Sequence, residues 1–93
     1  MRTTNINYFS TMDGIHTTLL SRGIPHTMRP LLDGYQLRFP WCDGDVAMHS
    51  GTYHHDAGRV ETYCFPWDDG DVSVFTPEEF IETITNFYTT CTK

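Results

Sequence analysis

Long apolar runs are missing from this 93-residue chain. Nothing approaches the roughly 18 apolar residues that a bilayer-spanning helix needs, and the start lacks the basic residues and greasy stretch of a secretory signal. Cysteine is sparse and odd in number, with Cys42, Cys64 and Cys91 only. That excludes a disulfide scaffold and suits a reducing compartment, so the expected location is the cytoplasm. Positive charge is also scarce, at six Lys and Arg against twelve Asp and Glu, a net charge of −6. Such a field repels phosphate backbones, which disfavours direct binding of nucleic acid. There is no phosphate-cradling glycine loop and no His-Glu metalloprotease motif, and these absences point away from an enzyme and from any cofactor.

What the chain does have is a repeat. Phe39-Pro-Trp-Cys-Asp-Gly-Asp-Val46 returns as Phe65-Pro-Trp-Asp-Asp-Gly-Asp-Val72, with only Cys42 against Asp68 differing. Dense self-similarity marks two copies of one supersecondary unit. Runs with β-forming residues precede each copy, at 35–39 and 60–65, and others follow it, at 45–49 and 71–75. Each copy therefore reads as a β-hairpin in which Asp-Gly supplies a positive-φ corner. Alternation places Leu37, Phe39, Tyr63 and Phe65 on one face, with Val46, Met48, Val72 and Val74 as core positions on the returning strands.

Elements on both sides complete the domain. Ile6, Phe9, Met12, Leu19 and Leu20 recur at helical steps between Thr4 and Arg22, with Gly23 placed as a stop. His26–Leu32 reads as an edge strand because it contains Pro30, and Asp33-Gly34 as a two-residue hairpin turn. Thr76-Pro-Glu-Glu79 is a capping box opening a helix from Pro77 to about Thr90, with Phe80, Ile81, Ile84, Phe87, Tyr88 and Cys91 on its apolar face. The expected fold is α+β: one domain over residues 1–93, with an antiparallel sheet of about five strands built around the repeated hairpins. An N-terminal and a C-terminal helix flank it.

The paired Trp-x-Asp-Gly-Asp turns lack the further oxygen ligands of a calcium loop. Cys42, His49, His54, His55 and Cys64 match no zinc spacing, and Asp43 beside Cys42 raises a thiol pKa where a nucleophile needs it lowered. No catalytic or metal-ligating residue is expected. Charge is segregated, however: residues 1–38 sum to +2 and residues 39–93 to −8. If both hairpin turns project from one end of the sheet, Asp43, Asp45, Asp68, Asp69 and Asp71 form one negative patch. Trp41 and Trp67 then flank it, and Glu78, Glu79 and Glu82 of the last helix join it. These ten residues are the candidate partner-binding site, and a basic protein surface is the expected partner.

In length, acidity, α+β pattern and lack of catalytic motifs, the chain resembles the small acidic orphan proteins of bacteriophages and mobile elements. These include anti-CRISPR and other anti-defence inhibitors, several of which occupy the nucleic-acid channel of a basic effector. The resemblance implies a non-enzymatic inhibitor, monomeric or homodimeric, that binds a nucleic-acid-handling protein, and it assigns no residue a role. Two other readings stand beside it: a small zinc protein using His54, His55 and cysteines, and a structural subunit self-associating through the His26–Leu32 edge.

Overall fold

A computed structural model of the chain describes residues 7–92. Its elements run α1 (Tyr8–Ser21), β1 (Thr27–Leu31), β2 (Gly34–Arg38), β3 (Asp45–Met48), β4 (Val60–Tyr63), β5 (Val72–Phe75) and α2 (Pro77–Cys91), with single 3₁₀ turns at His55–Ala57 and Pro66–Asp68. The five strands form an antiparallel meander in sequence order. Both helices contribute to one buried cluster, in which Met12, Ile15, Leu19, Phe80 and Ile84 meet Leu37, Val46, Met48 and Val60 of the sheet. The expected α+β architecture is the one observed.

Local chemistry explains the helix ends. Asn7 caps α1 by accepting the Ser10 N–H at 3.0 Å. At the other end the Ile24 N–H reaches Leu19 O and the Gly23 N–H reaches Leu20 O, both at 3.1 Å, with Gly23 at φ +70°. This is a Schellman ending, sealed by the buried pair Leu19 and Ile24. The expected α1 positions Thr4–Ile6 lie outside the described residues. Of the rest of that apolar stripe, Met12 and Leu19 are buried while Phe9 and Leu20 face out, and Ile15 takes a core place the sequence reading did not give it. The capping box of α2 is made as expected: Glu79 N–H donates to Thr76 Oγ1 at 3.1 Å and Thr76 N–H to Glu79 Oε1 at 2.9 Å.

Two expectations about the sheet are corrected. The β1–β2 turn residues are Leu32 and Asp33, since Leu31 already pairs with Gly34, and Leu32 rather than glycine takes the positive φ, +55°. Gly34 is instead the first residue of β2, and glycine is required there because a Cβ would run into the Met48 carbonyl and come within 2.8 Å of His49 Cα.

The second correction concerns faces. Within the hairpins the register repeats faithfully, Leu37↔Val46 in the first and Tyr63↔Val72 in the second. Between them, however, Val46 faces Thr62 and not Tyr63. Side chains alternate along a strand, so a one-residue offset turns the whole second hairpin over. Val60 and Thr62 are therefore buried and Tyr63 is 49% exposed. Val72 and Val74, expected in the core, are half-buried on the face away from the helices. Cys64 then adopts φ +67°. That break in the alternation returns Phe65 to the core, where Phe39 and Phe65 lie 5.7 Å apart.

Candidate acidic interaction surface

In a meander the β2–β3 and β4–β5 connections emerge at the same end of the sheet, so the two copies of the repeat sit side by side. Each begins with the same turn. Cys42 N–H donates to Phe39 O at 3.1 Å and Asp68 N–H to Phe65 O at 3.0 Å, with Pro40 and Pro66 presetting φ at the second turn position. Beyond that point the loops diverge. Asp69 and Gly70 both take positive φ, +50° and +83°, and Asp71 N–H closes onto Asp68 O at 2.9 Å. These are the features of a type I′ turn. The expected positive-φ corner is absent from Asp43-Gly44. Gly44 is buried there, and a Cβ on it would lie 2.5 Å from Phe65 Cδ1.

The tryptophans fasten both loops to the helix layer. Trp41 lies 5.5 Å from Phe87 and 4.9 Å from Tyr88, and Trp67 lies 5.5 Å from Phe87 and stacks on Phe65 at 4.4 Å. Their indole N–H groups are satisfied internally, by Pro25 O at 2.8 Å and Thr62 Oγ1 at 3.1 Å. Both rings are half-buried. They act as anchors that hold the loops rigid, leaving only their outer edges on the surface.

The ten candidate residues are not all brought together. Asp68 is 4% exposed, and its carboxylate accepts Thr62 Oγ1 at 2.8 Å and Phe65 N–H at 3.0 Å. It organises the second loop from inside. Asp45 is half-buried in β3 on the helix-free face. Burial pushes its carboxyl above the ordinary 3.8, with Asp68 and Glu61 adding to that and Gln36 and Arg38 opposing it. Asp43, Asp69 and Asp71 are exposed, and Asp71 also accepts the Val72 N–H at 2.8 Å.

Glu78 and Glu79 do not join them. Strand β5 carries the chain to the other end of the sheet before α2 begins, and only the later part of α2, at Phe87 and Tyr88, returns to the tryptophans. Glu79 is occupied in the cap and lies 3.9 Å from Arg59. The Thr76 hydrogen bonds, foremost among the causes, lower its pKa. Glu82 pairs with Arg22 at 3.4 Å. The single patch expected from the sequence is thus two patches, an aspartate group on the loops and a glutamate group on the helix. No other ion pairs occur among the described residues, and within that set Asp43, Asp69 and Asp71 have no cation within 4 Å.

Beside the first loop is an open recess of about 420 Å³, lined by Thr27, Arg38, Phe39, Pro40, Cys42, Asp43 and Gly44. It sets one arginine against one aspartate. Cys42 at its wall has its thiol pKa raised, by burial first, then by the charges of Cys91 and Asp43.

The soft ligands are spread out. His55 accepts from or donates to Tyr8 OH at 2.8 Å, at the end of β4 opposite to Cys64. Among the described residues no three His, Cys, Asp or Glu are grouped as a metal site requires. One histidine pair does form: His16 Nδ1 and His26 Nε2 lie 2.8 Å apart. Their ten-residue separation carries no local signal of it. Among the described residues no helix is long and apolar enough to cross a membrane.

Set against protein-family models, curated proteins and solved structures, the chain gives no match.

Proposed function

We propose that this is a non-enzymatic interaction protein whose loop-end aspartates engage a basic patch on a nucleic-acid-handling protein, excluding the nucleic acid from it. A phage-encoded inhibitor of a CRISPR effector is the kind of protein meant. It acts in the cytoplasm, as a monomer or homodimer, without a cofactor.

The observation that carries the reading is the state of Asp43, Asp69 and Asp71: three exposed carboxylates at one end of the sheet, in no ion pair among the described residues, on loops pinned by Trp41 and Trp67. Preorganised charge of this kind loses little side-chain and loop entropy on association and steers a partner of opposite sign. Asp45 and the rims of the two indoles complete the surface. Glu78, Glu79 and Glu82 form a separate, partly neutralised group and take a secondary part.

The test is capture of partners from a host lysate at low and high salt. The expected result is a partner with a basic surface, released as ionic strength rises because exposed charge pairs are screened. A partner held equally at high salt, or one with no basic surface, would overturn the reading.

A further inference from the structure

We infer that Cys42 and Cys91 form a redox-closable pair that can join the first hairpin loop to the end of α2. Three features bring the segments that carry them together. Cys42 follows Trp41, whose ring lies 4.9 Å from Tyr88. Cys91 follows Tyr88 by three residues, one turn along the face of α2 that carries Ile84, Phe87 and Tyr88. Cys42 packs against the same core cluster as Phe87 and Tyr88. The Cys91 charge is also among the lesser causes that raise the Cys42 thiol, after burial.

The chemistry is thiol–disulfide exchange with a small disulfide such as oxidised glutathione. Cys91 is exposed, so its thiolate attacks first, forming a mixed disulfide and releasing one glutathione thiolate. Cys42, half-buried, then attacks the Cys91 sulfur and releases the second. The protein thiols lose two electrons and two protons, and the glutathione disulfide gains them. The raised Cys42 pKa makes this second step the slow one. Closure fixes the contact of Trp41 with Tyr88 and so the position of the loop bearing Asp43. The inference rests on the contact of Trp41 with Tyr88 and the place of Cys91 one turn beyond it, and is independent of the proposed partner.

The test uses the full chain carrying Cys64→Ser, which removes the other exposed thiol. After treatment with oxidised glutathione, the expected product is a monomer lighter by two hydrogens, with no titratable thiol, a proteolytic fragment linking residues 42 and 91, and a higher thermal midpoint that a dithiol reverses. Adding Cys42→Ser should stop the reaction at a glutathione adduct on Cys91. Circular dichroism of both variants confirms that each is folded, since one position is half-buried and the others are exposed. Persistent glutathione adducts on the parent, two thiols left unreacted, or a product linked between chains would each overturn the inference.

Discussion

The two copies of the octapeptide, seven of eight letters alike, fold into one kind of turn and then do different work. Both use Phe-Pro-Trp to build the opening turn and to drive an aromatic pair into the helix layer. After the tryptophan they part. In the first, Gly44 is a packing residue pressed on Phe65 and the varied position is a half-buried thiol. In the second, Gly70 has open space around it and serves a left-handed corner, and the varied position is a buried carboxylate with two internal donors. Local sequence sets the turn, whereas the neighbour across the sheet decides what each residue is for. The first copy lies between β1 and the second copy, whereas the second has the first on one side and the sheet edge on the other.

The largest test of that contrast exchanges glycine for alanine in each copy. At Gly44 the new Cβ overlaps the Phe65 ring, and urea unfolding should show a loss of about 3 kcal/mol. At Gly70 nothing lies within 4 Å, so the cost is that of a left-handed alanine alone, about 1 kcal/mol. Equal losses would mean the loops do not pack as described.

Next comes the one differing position. Asp68→Ala leaves the Thr62 hydroxyl and Phe65 amide without their acceptor in a buried place, an expected loss of about 2–3 kcal/mol. Cys42→Ala should cost about 1 kcal/mol. A smaller contrast is expected where the chain flips. Cys64→Gly relieves a positive φ and should leave thermal stability unchanged or higher, whereas Arg38→Gly, at the matching place in a regular strand, should lose about 1 kcal/mol.

The subtlest difference is in pH dependence. Asp45 is held above the ordinary carboxyl value of 3.8. A raised folded pKa gives stability that is full below 3.8 and is lost as pH rises through the folded value. Asp45→Asn should therefore be more stable than the parent at neutral pH, with the advantage vanishing below about pH 3.8.

How much of this could be read in the letters depends on the range of the interaction. The capping box at Thr76, the stop at Gly23, the edge strand with Pro30 and the antiparallel sheet of about five strands all rest on residues a few places apart, and all are found. The faces of the second hairpin were not readable. They depend on Val46 meeting Thr62 across β3 and β4, a register set by the long connection at 49–59 and corrected by the flip at Cys64. The candidate surface was half legible for the same reason. The turn aspartates share an end because a meander requires it. The helix glutamates were added by sequence nearness, though β5 carries them away, and the burial of Asp68 follows from a Thr62 hydroxyl that no loop motif announces.

The division of the acids into two groups offers the most direct test of the account. A captured partner's affinity would be compared for Asp43→Asn/Asp69→Asn/Asp71→Asn and for Glu78→Gln/Glu79→Gln/Glu82→Gln, each measured across a salt series. Asparagine tolerates the left-handed corner at position 69 and keeps an acceptor for Val72, so both variants should remain folded. Loss of at least about tenfold in affinity together with a flatter salt dependence in the aspartate variant, and little change in the glutamate one, is the predicted outcome. Unchanged binding by the aspartate variant would contradict the claim that the loop end is the surface a partner meets.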